Sequence, residues 1–378
     1  MEETTYEFMK ILSLEEARRF AQGRTPIIIT GVTGQDGSFM ADHLLGLDDS
    51  FDGNLEIFGG ARRLSVSNHD NIKHLENEKR FHLINFDLTD AHSISQIVSQ
   101  LKPAYFINFA AQSFVKSSWD FPAQTWDANT MSIIHILEAI RLHCPNCRFY
   151  NAGSSEEFGD VEYSPQDEKH PMRPRSPYGA SKVAARQIVK VYRESYNLYA
   201  IQGWLFNHEG TRRGEEFVTR KITKAVARIM KEFDTGKPVT PLELGNLDAR
   251  RDWTDAEDCV VAVWRMLNQD IVGNIEPKNL KEFVVSSGEN HSVREFVEEA
   301  FKHVNIEGTW VGEGVDEKFF WKDQIIVQIN PAFFRLAEVD LLLGNPTQII
   351  HKLGWKAKTT FPQLVEKMVK KDIELISK

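Results

Sequence analysis

Residues Ile27-Ile28-Ile29-Thr30-Gly31-Val32-Thr33-Gly34-Gln35-Asp36-Gly37 set a short, wholly apolar run directly before three glycines spaced G-x-x-G-x-x-G. A run of that length bounded by glycine has the form of a buried strand, and Ser38-Phe39-Met40-Ala41-Asp42-His43-Leu44-Leu45 beyond it is patterned as a helix. A strand that turns through glycines into a helix brings its backbone close to a pyrophosphate, and the helix N-terminus offers the anion free N–H groups. The first gap is one residue wider than in the G-x-G-x-x-G fingerprint, and as a lone motif the turn is a weak signal.

Strand and helix patterns go on alternating downstream. Residues 55–60 read as a second strand ending in Arg62-Arg63. An acidic residue there would hold the ribose 2′-hydroxyl of NAD, whereas arginines suit the 2′-phosphate of NADP, so the pair favours NADP over NAD. Residues 81–86 form a third expected strand, ending in Asp87-Leu88, and residues 103–109 a fourth, ending in Ala110-Ala111-Gln112-Ser113. A fifth, at 148–153, leads into Ser154-Ser155-Glu156-Glu157-Phe158-Gly159. Helical patterns at 92–100 and 125–142 separate them. Such alternation predicts an α/β fold with right-handed crossovers and a doubly wound parallel sheet, a Rossmann arrangement whose ligands lie at the carboxyl ends of the strands. The polar residues just named fall at those ends. Residues 12–22 look like a short helix, an appendage ahead of the first strand.

Beyond a proline-rich loop at 171–177, Tyr178-Gly179-Ala180-Ser181-Lys182 opens a helix expected to reach about residue 196. Tyr and Lys at i and i+4 share one helix face. An ammonium beside a phenol lowers its pKa and equips it as a base near neutral pH. The spacing is common by chance, but here it follows a glycine-turn sheet and a serine, Ser154, at the end of the preceding strand.

Composition narrows the remaining classes. The 378 residues can hold one large or two moderate domains; 42% are hydrophobic and 26% charged, which is ordinary for a globular protein. A net charge of -9 disfavours nucleic acid and membrane surfaces as partners. No apolar run approaches the ~20 residues of a transmembrane helix, and the acidic Met1-Glu2-Glu3-Thr4-Thr5 lacks the basic and apolar regions of a secretory signal. Three cysteines make a disulfide framework implausible and point to a reducing compartment, the cytoplasm. Cys144-Pro145-Asn146-Cys147 reads C-x-x-C, yet Pro-Asn there simply makes a turn between helix and strand, and no second pair completes a zinc site. No metal is expected.

With these motifs in place the sequence resembles the extended short-chain dehydrogenase/reductase superfamily and, within it, the GDP-mannose 4,6-dehydratase family. The resemblance rests on residues 30–38, on 108–113, on Ser154 to Glu156, on Arg175-Ser176-Pro177-Tyr178 through Lys182, and on Tyr192-Arg193-Glu194-Ser195-Tyr196. Its most specific part is Leu205-Phe206-Asn207-His208-Glu209, then Arg212-Arg213-Gly214-Glu215 and Phe217-Val218-Thr219-Arg220-Lys221-Ile222-Thr223. Leu244-Gly245-Asn246, Arg251-Asp252-Trp253, Ser292-Val293-Arg294, Glu338-Val339-Asp340 and Leu353-Gly354-Trp355 extend it from about residue 27 to the C-terminus.

The resemblance implies an internal redox elimination. Tyr178 takes the sugar 4-hydroxyl proton while hydride passes from C4 to NADP; Glu156 removes the acidified C5 proton; water leaves from C6, and the hydride returns there. Related epimerases and reductases carry a small apolar residue in place of Glu156, so the carboxylate implies a dehydratase. Ser154 and Lys182 complete the catalytic set, Lys182 also at the nicotinamide ribose. Gly31, Gly34, Gln35, Asp36, Gly37, Arg62, Arg63, Asp87, Leu88, Ala110, Ala111, Ser113, Tyr178, His208 and Arg213 are implied at the cofactor. Ser113, Glu156, Asn207, Lys221, Arg251, Arg335 and Glu338 are implied at the GDP-sugar, the basic side chains at the diphosphate. The Arg212-Arg213 segment implies contact with a neighbouring subunit's NADP, hence a homotetramer, with a dimer as the smaller alternative.

Four departures bear on the sugar: Phe114 replaces histidine, Phe158 tyrosine and Glu157 an apolar residue, and Trp119 enriches the loop after the fourth strand. Some of these are expected near the hexose, which keeps GDP-manno-heptose open beside GDP-mannose. Two other readings also stay open, a GDP-sugar epimerase or reductase and a catalytically silent NADP-binding regulator. The expected division is an NADP-binding domain of residues 1–205 and 253–287 and a smaller mixed α/β GDP-sugar domain of 206–252 and 288–378.

Overall fold

The computed structural model describes residues 9–47, 53–62, 69–270, 275–333 and 341–377. Seven strands enter the main sheet in chain order: β1 (Ile11–Leu12), β2 (Thr25–Thr30), β3 (Leu55–Ala61), β4 (Phe81–Asn85), β5 (Tyr105–Asn108), β6 (Arg148–Ala152) and β7 (Ala200–Leu205). With Val284–Val285 beside β7 they form an eight-stranded sheet in the order β1-β4-β3-β2-β5-β6-β7 and then Val284–Val285. Every pairing in it is parallel. The order reverses at β2, between β3 and β5, which is the switch point where a doubly wound sheet opens its ligand crevice.

Burial on both faces explains the unbroken apolar runs. Ile27 and Ile29 pack into one core and Ile28 into the other, as the two-residue period of a strand requires. The expected helices are present as Ala91–Leu101 and Pro177–Tyr196. The one expected at 125–142 is built of three pieces, Pro122–Trp126, a π-helical turn Asp127–Met131, and Ser132–His143. After it, Cys147 N–H donates to the Cys144 carbonyl at 2.8 Å, the tight turn that Pro-Asn predicts.

The N-terminal segment is more than an appendage. Ile11 and Leu12 add β1 to the edge of the sheet, paired with Leu83 and Ile84 of β4. Ser13 then caps the helix Leu14–Ala21 in a reciprocal box with Glu16, whose carboxylate accepts from the Ser13 N–H at 2.9 Å. A two-residue strand shows no period of its own, so the sequence betrays only the helix.

A second core gathers Ile222, Val226 and Ile229 from the helix Val218–Asp234, Phe296 and Phe301 from Val293–Lys302, and Leu364 and Met368 from Phe361–Ser377. Small sheets border it, one of them built from His291–Ser292, Arg250–Arg251 and Leu341–Leu342. Ile349 and Trp355, in the stretch assigned to the second domain, pack into the first core instead, where the Trp355 indole N–H donates to the Asp258 carbonyl at 2.9 Å. Asp252, fully buried, ties the crossings together: it accepts from Ser287 N at 2.8 Å, Gly288 N at 3.1 Å and Gly344 N at 3.2 Å. Burial pushes its carboxyl up to about 6 against the pull of those donors.

Candidate active site

The glycine turn leaves β2 at Thr30 and starts the helix Gln35–Leu45. Gly31 has φ +68° and a Cβ on it would lie 2.8 Å from the Ala110 nitrogen, so both its backbone angle and the approach of the strand-β5 loop demand glycine. A Cβ on Gly37 would lie 2.7 Å from the Val32 Cα, which keeps helix and strand in direct backbone contact. Gly34 is the N-cap and has no side chain to satisfy the first-turn N–H groups. A closely approachable turn with uncapped donors at a helix start fits a dinucleotide pyrophosphate.

Asp36 and Gln35 tie this turn to His208, just beyond β7. His208 Nε2 lies 2.9 Å from Asp36 Oδ2 and its Nδ1 lies 2.7 Å from the Phe206 carbonyl, while Gln35 Nε2 donates to the His208 carbonyl at 3.1 Å. Burial disfavours the charged ring, but Asp36 outweighs it and the His208 pKa is raised. For Asp36, burial pushes up while His208, with Arg213 and Gln35, brings the carboxyl below its ordinary value. At the next strand ends, Asp87 accepts from Thr89 N at 2.9 Å and Thr89 Oγ1 at 2.8 Å. Its carboxyl is held down first by that backbone donor and also by the exposed Arg62. Leu88 is buried, Ala110 and Ala111 are half-buried, and Ser113 is exposed. Arg63 lies outside the described residues.

Ser154, Glu156 and Tyr178 come together across the crevice. Ser154 caps the short turn Ser155–Glu157, its Oγ accepting from Glu156 N at 3.2 Å. Ser176 caps the helix that carries Tyr178 and Lys182, accepting from Gly179 N at 3.0 Å. Burial pushes the Tyr178 phenol well up; a hydrogen bond with Ser154 pulls it down, and Glu156 pushes it up again. This is opposite to the direction expected from the lysine. Lys182 is itself buried, its Nζ lies 5.8 Å from the centre of the Tyr178 ring and donates to the Ala152 carbonyl at 2.8 Å, and burial brings its ammonium down to about 8. Desolvation therefore governs both members of the pair.

Apart from Ser113 and Glu156, the residues expected at the GDP-sugar follow β7 in the chain. Asn207 is half-buried with its Oδ1 unsatisfied and pairs in register with Trp253. Lys221 sits 3.7 Å from the centre of the Phe333 ring, and burial lowers its pKa against the pull of Glu243. Arg251 is buried next to Asp252, its Nη1 donating to the Arg250 carbonyl at 2.8 Å. Arg335 and Glu338 lie outside the described residues. Arg212 pairs with Asp42 at 2.7 Å, and Arg213 stacks on Phe217 at 3.5 Å from the ring centre while helping to lower the Tyr178 phenol of its own chain.

Two of the four departures do not face a sugar. Glu157 is fully buried and paired with Arg186 at 2.5 Å, and Phe158 is fully buried against Trp204 with ring centres 5.8 Å apart. The short turn sends successive side chains in opposite directions, Glu156 toward the crevice and Glu157 into the core. Phe114, edge-on to Phe217, and the exposed Trp119 remain as candidates for the sugar side.

A family model described as GDP-mannose 4,6 dehydratase matches residues 28–368. The chain belongs to this family. A GDP-mannose 4,6 dehydratase of Drosophila melanogaster is 45% identical over 362 residues, covering 93% of this chain and 87% of the relative. Among solved structures, the dTDP-glucose 4,6-dehydratase DesIV of Streptomyces venezuelae, with NAD and TYD bound, matches with a TM-score of 0.74 at 17% identity over 92% of this chain and 97% of that one. RMD from Pseudomonas aeruginosa, complexed with NADPH, matches with a TM-score of 0.70 at 20% identity over 93% and 99%. These likenesses carry the fold of the dehydratase chain.

Reading the sequence alone passes over Asn129, which sits on the π-helical turn. Its Oδ1 accepts from Gln112 N at 2.9 Å, and its Nδ2 donates to the Gln112 carbonyl at 3.0 Å and to Ser181 Oγ at 3.1 Å. It thereby joins the loop after β5 to the Tyr178 helix. A polar residue on the inward face of an apolar helix is the one signal that could have marked it.

Proposed function

We propose that the chain is an NADP-dependent lyase that converts GDP-mannose to the GDP-4-keto-6-deoxy sugar with net loss of water. The observation that carries this reading is the position of Glu156, close enough to Tyr178 to raise the phenol's pKa. An epimerase or reductase needs no carboxylate there; abstraction of a C5 proton does.

Bound NADP supplies a hydride acceptor at C4 and a hydride donor at C6. The protein's own groups handle protons and position. Burial on its own keeps Tyr178 protonated, so the positive charges of Lys182 and of a bound nicotinamide ring would have to ionise the phenol; hydrogen-bonded to Ser154, it would then take the 4-hydroxyl proton as the C4 hydride departs, with Ser154 holding the resulting 4-oxygen. The 4-ketone acidifies C5, and Glu156 takes that proton as the 6-hydroxyl leaves as water. Lys182, held by the Ala152 carbonyl, keeps a positive charge beneath the phenol up to about pH 8. Gly31, Gly34, Gln35, Asp36 and Gly37 would hold the pyrophosphate, Arg62 and Arg63 the 2′-phosphate, Asp87 and Leu88 the adenine, and Ala110, Ala111 and Ser113 the nicotinamide half. His208 and Arg213 close the cofactor site from the second domain. Asn207, Lys221, Arg251, Arg335 and Glu338 hold the GDP-sugar. The basic end of β3, with Arg62 beside Asp87, supports NADP over NAD.

We also assign a homotetramer in the cytoplasm. Exposed Trp119, Phe121, Trp126 and Met131, with Val191 and Tyr196 on the Tyr178 helix, support association through this side. Among the described residues no helix is long and apolar enough to cross a membrane.

Incubation with GDP-mannose and with GDP-manno-heptose, without added reductant, tests the reading through the alkali-induced absorbance of a 4-keto product. Turnover of GDP-mannose is expected. Stoichiometric consumption of NADPH would shift the assignment to a reductase, and no turnover of either sugar would overturn it.

A further inference from the structure

A row of buried polar side chains crosses the parallel sheet between the two halves of the site. Thr30 on β2, Asn108 on β5, Asn151 on β6 and Gln202 on β7 are register partners on successive strands. None is more than 2% exposed, and their strand neighbours Ile29, Ile107, Tyr150 and Ile201 are wholly buried. Thr30 Oγ1 donates to Asn108 Oδ1 at 2.5 Å, Asn108 Nδ2 to Asn151 Oδ1 at 2.8 Å, and Asn151 Nδ2 to Gln202 Oε1 at 2.6 Å. Gln202 Nε2 then donates to Glu157 Oε1 at 3.1 Å. Polar groups at such depth are costly unless every one is bonded, and here the row is closed from end to end.

Its direction follows from one charge. Glu157 receives the Arg186 guanidinium, Gln202 and the Ser154 N–H, the last at 2.8 Å, and as a carboxylate it can only accept. Gln202 must therefore turn its amino group toward Glu157 and its oxygen toward Asn151, which must do the same toward Asn108. Thr30 is left to donate with its hydrogen and to accept, at 3.4 Å, from the Ala110 N–H beside Gly31. Arg186 is fixed in turn by Glu282 at 2.7 Å and by the Trp204 ring, 3.6 Å from its centre.

We propose that this row is a positioning strut, with Asn108, Asn151, Gln202, Glu157 and Arg186 as positioning residues. It fixes the distance from the glycine turn, where the cofactor is held, to the turn carrying Ser154 and Glu156. The inference rests on the dehydratase reading. In that reaction two hydride transfers and one proton abstraction use a single cofactor position, so a displaced base turn impairs elimination while binding survives. Misplacement of about 1 Å costs on the order of 10²-fold in rate.

Two variants test it. Gln202→Leu cuts the row beside its anchor and also withdraws the Nε2 that donates to the Lys182 carbonyl at 3.1 Å; Glu157→Leu with Arg186→Leu leaves that carbonyl's donor in place and removes the anchor as a pair, which cores tolerate far better than the loss of one partner. Both are expected to bind NADP and GDP-mannose as the natural protein does, with KM nearly unchanged, kcat down roughly 10–100-fold and reduced cofactor accumulating on the enzyme during turnover. Wild-type kcat without that accumulation in either variant would overturn the strut. An independent reading needs no turnover: amide exchange measured by mass spectrometry without substrate. Gln202→Leu should accelerate exchange at both 30–37 and 153–158 and leave the helix Val218–Asp234 unchanged, and acceleration confined to β7 would overturn the proposal. Should the natural protein not turn over GDP-mannose, the dehydratase reading falls, and the exchange result still decides the strut. The paired replacement carries both measurements if Gln202→Leu does not fold.

Discussion

His208 Nε2 faces Asp36 Oδ2 at 2.9 Å, so the first turn of the glycine-turn helix is clasped by a strand that follows it by 172 residues. The ring's other nitrogen faces a carbonyl oxygen, and both positions call for a proton. The clasp is thus an imidazolium against a carboxylate, joining the glycine turn to the segment just beyond β7.

A pH signature follows from the pair. The raised His208 pKa contributes stability that is complete below its ordinary 6.5 and is lost as pH rises through the higher folded value. The lowered Asp36 pKa contributes stability that is present above its ordinary 3.8 and is lost as pH falls through the folded value. Urea unfolding across pH should therefore show stability falling above pH 6.5 in the natural protein and a flatter dependence in Asp36→Asn. Parallel curves would count against the clasp.

Glu156→Gln should abolish elimination with the cofactor site intact. Loss of a general base costs about 10²–10⁴-fold in rate, while NADP titration should give an unchanged affinity. Normal turnover in this variant would remove the assigned base.

Much of this site is readable from sequence, and the remainder has a physical reason for being hidden. The five internal strands announce themselves because burial on both faces makes them continuous apolar runs, and the turn at Gly31, Gly34 and Gly37 is local. Tyr178 and Lys182 lie one helical turn apart. By contrast Asn108, Asn151 and Gln202 are separated by 43 and 51 residues, and only strand register brings them into one row. Glu156 and Glu157 are neighbours with identical side chains, and only the geometry of their short turn separates the proposed base from the buried partner of Arg186. Spacing misjudges the lysine's effect on the tyrosine for a related reason: it reports proximity, whereas the pKa is set by burial.

Neutralising Arg62 and Arg63 together, as Ser–Ser, should weaken NADP by roughly 10–100-fold, since charged hydrogen bonds to a phosphate are worth about 1.5–3 kcal/mol. NAD, which lacks the 2′-phosphate, should change little. Equal losses for the two cofactors, measured by fluorescence titration, would count against selection of NADP at the end of β3.

Turnover should fall as pH rises through about 8, where the buried Lys182 ammonium loses its proton and its support of the Tyr178 phenolate. Lys182→Arg keeps its charge throughout and should show lower activity without that alkaline limb. A kcat profile unchanged in shape by the substitution would separate Lys182 from the titration.

The glycine turn itself can be graded. A Cβ at Gly37 would meet the Val32 Cα at 2.7 Å and come closer still to the Gly31 carbonyl, both of them backbone that cannot swing aside. At Gly34 it would meet only the Gly31 carbonyl, at 3.1 Å, a contact that a few tenths of an ångström relieves. Gly37→Ala should therefore cost about 1–3 kcal/mol in thermal unfolding and abolish NADP binding, because Val32 and the helix must part. Gly34→Ala should cost less and weaken NADP without abolishing it, since the helix start keeps its place and only the approach of the pyrophosphate is hindered. The opposite order would mean that the helix does not depend on backbone contact with β2, and that the cofactor is held elsewhere than at this turn.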